Sequence, residues 1–405
     1  MSPRTFTLTF LGDIMLARLI DQLLPNSTNT PTDAHNAEVL KSKNPSLAEY
    51  TPSSPWGTTL PLLHSTDLLT INLETSATAT SQAWPDKKYN YRTHPANIPD
   101  VLHLARVDYA SLANNHILDF CEEGMIETIW TLKQSKISFA GAGESIDEAF
   151  KPATLWLPNP RRTHTGMQQN HTGHDDEHER TSTPSPNYAV HVYSASDHPA
   201  EWKNVPTFHF IDYSPATRTR VKRLLTQSST IRPDTPSGSS ENSSSESRSP
   251  ALKIFSVHWG SNYKWTPSDE IQSFAHFLID ECGVDIVHGH SSHHVQGVEI
   301  YKGKVIIYGC GDFVDDYVFR KEFRNDLGAA WRVIVSEVQG QNQSLKLDRL
   351  EIFPTRNKGF RACMLDSKNR DHGWVREKIR ELSLGFGSDC RDKLGVDGQI
   401  IFDIS

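Results

Sequence analysis

Asp285-Ile286-Val287-His288-Gly289-His290-Ser291-Ser292-His293-His294 opens as a short apolar strand and ends with four imidazoles in seven residues. Metal ligation is the commonest reason for histidines at that density. A strand that delivers ligands at its end belongs to an α/β sheet, whose sites lie beyond the strand C-termini. Other apolar runs of the chain finish the same way. Leu8 to Leu11 runs into Gly12-Asp13, and Leu68 to Asn72 runs into Leu73-Glu74. Tyr109 to Ala113 precedes Asn114-Asn115-His116, and Ile254 to Val257 precedes His258-Trp259-Gly260. A sheet would line Asp13, Glu74, Asn115, His116, His258 and the 290–294 histidines along one edge. Carboxylate, amide and imidazole donors together suit Mn, Fe or Zn.

Between these runs lie segments with helical spacing, at Val101 to Arg106, Ile126 to Lys133 and Ile271 to Asp280, with a further helix near Trp374 to Leu382. Ile137 to Ala140, Tyr188 to Tyr193, Thr207 to Tyr213, Trp331 to Val335 and Leu345 to Phe353 read as strands. Val298 to Tyr301 and Val305 to Tyr308 read as a hairpin around Lys302-Gly303-Lys304. The alternation predicts a layered α/β domain. Two stretches interrupt it. Residues 160–186 are polar and hold His164, His171, His174 and His178, while 226–250 has 13 Ser or Thr in 25 residues. Neither has apolar surface to offset the entropy of ordering, so both are expected to be flexible insertions in a single domain spanning 1–405. The histidines of the first are read as solvated, because no strand fixes them.

Composition narrows the function. The net charge is −8 and basic residues form no long stripe, which gives no reason to expect nucleic acid as a partner. Cys121, Cys282, Cys310, Cys363 and Cys390 are widely spaced, without a CxxC pair, which suggests neither a disulfide framework nor a thiolate zinc site. No window approaches the ~20 apolar residues that span a bilayer, and the N-terminus runs straight into a strand. A soluble, cytoplasmic protein with no membrane partner is expected. Taken singly, each motif has an ordinary reading as well. Gly-Asp after a strand is commonly a turn, Asn-Asn-His is common loop chemistry, and a lone His258 is often a core histidine on a backbone group.

In combination the motifs resemble the CapA family of poly-γ-glutamate capsule biosynthesis proteins, within the calcineurin-like metallophosphoesterase superfamily. The resemblance rests on Gly12-Asp13-Ile14-Met15, Asn72-Leu73-Glu74, Ser111-Leu112-Ala113-Asn114-Asn115-His116 with Asp119, and His258-Trp259-Gly260. It continues with Gly289-His290-Ser291-Ser292-His293-His294 and Tyr308-Gly309-Cys310-Gly311-Asp312-Phe313. It implies a two-sheet β-sandwich flanked by helices, with one or two divalent ions at the loop edge. It further implies Asp13 on the first ion, Glu74 bridging, Asn115 and His258 on the second, and His290 and His293 completing the shells. His116 would protonate the leaving group, oriented by Asp119. Three departures from ordinary phosphoesterases stand out: Met15 where a ligand histidine is usual, Glu74 where the bridge is usually Asp, and a last histidine one position further on.

The implied reaction is hydrolysis by metal-activated water, on a γ-glutamyl or other carboxylate-rich amide or on a phosphoester. A small-molecule or peptide-like anionic substrate calls for cationic contacts. Lys88, Arg92 and His94 in one segment, His294 beside the last ligand, and Arg356 and Arg361 near the C-terminus are the candidates. The alternative is a non-catalytic accessory protein of poly-γ-glutamate-type polymer synthesis.

Overall fold

The computed structural model describes residues 3–28, 30–163, 187–227, 249–339 and 344–404. Most of the two polar insertions, 164–186 and 228–248, lies outside the described residues. Their edges are helical: Pro160–Thr163 forms one turn, and Thr226 and Gln227 end the helix Pro215–Gln227.

Two large sheets carry the fold. In the first, the parallel strands Thr5–Ile14, Leu68–Leu73, Tyr109–Ser111 and Ser138–Ala140 lie side by side. Leu327–Glu337 runs antiparallel to Thr5–Ile14, followed by Leu345–Asn357 and, beyond it, Ala362–Met364. Ile400–Asp403 pairs with Leu345–Asn357, and Asp312–Val314 joins the end of Thr5–Ile14 in parallel. In the second sheet the parallel run is Tyr188–Ser196, Leu252–His258, Ile286–His290 and Lys304–Ile307. Val298–Tyr301 and Ala153–Leu157 close its two edges in antiparallel register.

Alternation along the strands decides which face meets which layer. Phe6, Leu8 and Phe10 point between the sheets, packing with Val190, Val192, Ile254, Ile286, Val305 and Trp331. Leu11, Ile14, Leu69 and Ile71 turn to the opposite face and meet Val101 and Leu102 of the helix Ile98–Leu104 and Met125 and Ile129 of the helix Cys121–Gln134. Phe255 and Val257 face outward from the second sheet, under Ile271, Phe274 and Leu278 of the helix Asp269–Asp280 and Val221 and Leu225 of Pro215–Gln227. The result is a four-layer α/β/β/α sandwich, the layered α/β domain read from the alternation and the two-sheet arrangement implied by the resemblance. Leu68–Leu73 and Ile286–His290 are buried at every position, which is why they read as continuous apolar runs.

One predicted strand does not form. Thr207 to Tyr213 makes only isolated bridges, Phe208 with Ala142 and Phe210 with Ser196. Its apolar side chains are instead pinned into loops at the sheet edge, with Phe208 edge-on to Trp202.

Candidate metal centre

The C-terminal ends of the parallel strands of both sheets converge on one edge. Asp13 sits one residue before the end of its strand, its backbone drawn against Gly311 by an N–H to carbonyl contact of 3.4 Å. Gly12 permits that approach, since a Cβ there would fall 1.8 Å from the Gly311 carbonyl oxygen. Gly12-Asp13 is therefore strand and not turn. Glu74 follows the end of Leu68–Leu73, while His258 and His290 are the last residues of their strands and pair in register. His293 lies in the turn just beyond.

Two groups of donors form, Asp13 with His258 and His290, and Asp13 with Glu74, His293 and Asp312. Within each group the ligand atoms all lie within 4.8 Å of one another. Asp13 is common to both groups, and Glu74 falls in the second. His258 Nε2 is 3.8 Å from Glu74 Oε1, and His293 Nδ1 is 2.9 Å from Asp312 Oδ1. Asn72 Nδ2 donates to Asp13 Oδ1 at 2.7 Å and is itself held by Asn114, whose Nδ2 donates to Asn72 Oδ1 at 3.1 Å. Asn114 is thus a support, and Asn115 is the amide whose side-chain oxygen lacks a partner.

The electrostatics are those of carboxylates and imidazoles crowded together in a buried space. Burial, followed by the charges of Asp13 and Asp312, holds Glu74 well above the usual carboxylate range. Burial, then Asp315 and Asp13, does the same to Asp312. Asp13 is raised by burial, against His293 and Asn72. Burial drives His258 and His290 well below the ordinary imidazole value. Glu74 Oε1 and Oε2, Asp312 Oδ2, His258 Nε2 and Asn115 Oδ1 are all buried without a hydrogen-bond partner. Each such atom costs roughly 1–3 kcal/mol, and more if charged, unless something binds it. A divalent cation fits this donor set, because it satisfies the orphaned oxygens and nitrogens together and relieves the carboxylate repulsion.

His116 stands beside the cluster. Its Nδ1 donates to Asp119 Oδ2 at 2.6 Å, so Nε2 is turned toward Glu74 Oε1, 3.9 Å away. Tyr91 stacks on the ring at 4.4 Å between centroids, and burial brings the imidazole down to about 4 despite Asp119. Lys87 Nζ donates to Asp119 and, at 2.5 Å, to the Asn115 carbonyl. Tyr317 and Tyr263 flank the His293 ring at 4.8 and 5.5 Å between centroids.

The sequence-derived cationic contacts are not brought to the centre. Lys88 is exposed over the Tyr89 ring, and the site takes its neighbour Lys87 instead. Arg92 is spent on the Thr80 and Thr28 carbonyls. Arg356 pairs with Asp326 and Asp371, and Arg361 reaches the Ser46 carbonyl. His94 caps the turn at Ala96. His294 turns away from the cluster and packs against Trp265 and Phe323, its Nδ1 on the Val295 carbonyl. His288 bonds Ser256 Oγ and the Leu11 carbonyl. The histidine-rich stretch thus divides, with His290 and His293 in the centre and His288 and His294 in the packing. Sequence reasoning missed Asp312, although it stands in a Gly311-Asp312-Phe313 motif. It also missed Asp197 and His198, which directly follow the strand Tyr188–Ser196.

The family model described as bacterial capsule synthesis protein PGA_cap matches residues 7–317. The chain belongs to this family. A probable polyglutamine synthesis accessory protein of Mycobacterium tuberculosis is 31% identical over 401 residues, covering 95% of this chain and 93% of its own. The PGA biosynthesis protein CapA of Bacillus subtilis is 22% identical over 318 residues, 78% of this chain and 64% of its own. Among solved structures, a phosphatase from Mycoplasma pneumoniae is a distant likeness, with a TM-score of 0.41 and 12% identity over 87% of this chain and 94% of its own. No described helix is long and apolar enough to cross a membrane.

Proposed function

We propose that the protein is a metal-dependent hydrolase whose substrate is an anionic, carboxylate-rich amide or a phosphoester. The observation that carries this is the set of buried, partnerless donor atoms on Glu74, Asp312, His258 and Asn115 around Asp13. Asp13, Glu74, His293 and Asp312 would hold one divalent ion (Mn, Fe or Zn), and Asp13, His258 and His290 a second. Bound there, such ions lower the pKa of coordinated water and polarise the scissile group. The protein's own residues supply the rest. Asp119 fixes the His116 ring through Nδ1 and, against burial, favours its protonated form, whose Nε2 would pass a proton to the departing atom. Lys87 and the Tyr91 backbone N–H, both bonded to Asp119, keep that carboxylate in place. Tyr91 covers one face of the ring and limits the orientations open to it.

A second reading, a non-catalytic accessory protein of poly-γ-glutamate-type synthesis, is favoured by the names of the relatives. Metal analysis of purified protein, followed by assays of p-nitrophenyl phosphate esters and γ-glutamyl peptides, separates the two. Turnover that needs added Mn²⁺ and disappears in His116→Ala supports the hydrolase. Bound metal without turnover on either substrate class favours the accessory reading.

A further inference from the structure

The second sheet carries a counterpart to the His116–Asp119 pair. The strand Tyr188–Ser196 ends in register with His258, and the next two residues are Asp197 and His198. Asp197 is anchored from three sides. Tyr213 Oη donates to its Oδ2 at 2.5 Å, the Gly260 N–H donates to the same oxygen at 2.8 Å, and Oδ1 bonds His198 Nδ1. With Nδ1 so engaged, His198 presents Nε2 on its far side. Among the described residues the contact recorded for that atom is Ser291 Oγ at 3.5 Å, the limit of a hydrogen bond. Ser291 is itself held at φ 97°, a conformation side-chain-bearing residues rarely adopt, with its backbone N–H 3.4 Å from Asp13 Oδ2. The His198 ring lies 4.9 Å from that of His258, and a quarter of the side chain is exposed. It is therefore an accessible imidazole beside the buried centre, fixed by its own carboxylate, with Nε2 turned to Ser291 at the same strand-end edge.

We infer that His198 is a second catalytic residue, taking the proton from attacking water opposite His116, with Asp197 as its positioning residue; this rests on the hydrolase reading above. Hydrolysis moves two protons. The water oxygen bonds to the scissile phosphorus or carbonyl carbon as its proton passes to His198 Nε2. The bond to the leaving oxygen or nitrogen breaks as that atom takes the proton of His116. No electrons are gained or lost overall, and both histidines reset by exchange with solvent. Two histidine–carboxylate pairs, one from each sheet, give the site a donor and an acceptor on separate elements, so one ring does not have to serve both halves of the reaction.

Measurements on the full chain test this. In Mn²⁺-loaded protein, His198→Gln should lower kcat about 10²–10⁴-fold with KM little changed. The loss should be equal for p-nitrophenyl and the poorer phenyl leaving group, whereas the loss in His116→Gln should grow with the poorer one. In His198→Ala, added imidazole should restore part of the rate. Nitrogen-15 NMR of histidine-labelled wild-type protein should find the His198 proton on Nδ1 and show it redistributed in Asp197→Asn. Mn²⁺ affinity of His198→Gln should match the wild type. Turnover of His198→Gln within threefold of wild type, a proton resident on Nε2, or a tenfold loss of Mn²⁺ affinity would each overturn the inference and leave the hydrolase reading standing. A wild type without turnover would overturn both. The NMR measurement needs no variant, so misfolding of His198→Gln does not protect the idea.

Discussion

Asp312 shows how much a single position can hide. Its carboxylate is buried, one oxygen on His293 Nδ1 and the other orphaned beside Asp13. Asp312→Asn should lower Mn²⁺ affinity at least about tenfold in a calorimetric titration, and an unchanged isotherm would remove Asp312 from the ligand set. In sequence, Asp312 follows Gly311 after an apolar run, the same signal that singled out Asp13. It comes late in the chain, beyond a hairpin, and only the parallel pairing of Asp312–Val314 with Thr5–Ile14 places it opposite Asp13. Lys87 and Lys88 teach the complementary lesson. A pair of adjacent lysines in an irregular loop has no periodicity to say which side chain faces inward. Lys87→Met should lower turnover at least about tenfold by freeing Asp119 and hence His116, while Lys88→Met should leave it within twofold. Equal effects of the two would contradict the geometry.

At the scale of elements, the strand ends were legible and the loops were not. Strands announce themselves by apolar runs, and the rule that sites follow strand C-termini points to Asp13, Glu74, His116, His258, His290 and His293. The same rule applied to Tyr188–Ser196 would have reached Asp197 and His198. Thr207 to Tyr213 failed because its aromatic content mimics a strand, while its side chains serve edge packing around Trp202. Gly12 marks where an element's backbone, more than its side chains, builds the centre. Gly12→Ala forces a methyl against the Gly311 carbonyl, so it should cost about 1–3 kcal/mol in urea denaturation and weaken Mn²⁺ binding with it. Ser268→Ala is the contrasting change. It removes the side chain that caps Asp269–Asp280 and should cost about 1 kcal/mol with Mn²⁺ affinity intact, because that helix contributes no ligand.

For the whole molecule, acid is the informative perturbation. His209 is buried against Phe150, and burial followed by the nearby Arg220 pushes its imidazole down to about 3. Below the unfolded-state value of about 6.5 the unfolded chain takes up a proton that the folded chain refuses, so this residue lowers stability as pH falls. Between pH 7 and pH 5 the stability of the wild type should therefore drop relative to His209→Gln by about 2 kcal/mol, as read from paired urea curves. A gap independent of pH would show that His209 is charged in the fold. The distribution of ligands has a different consequence. Asp13 and Asp312 belong to the first sheet and Glu74 directly follows one of its strands, while His258, His290 and His293 belong to the second or the turn leaving it. A cation seated among them is a rivet through two plates. Each plate alone offers an incomplete socket, of hard oxygens on one side and of imidazoles on the other. Chelation should then loosen the seam before either plate frays, so the earliest amides to gain deuterium would lie along the strand ends at 12–14 and 288–293, with the strand centres following only on global unfolding.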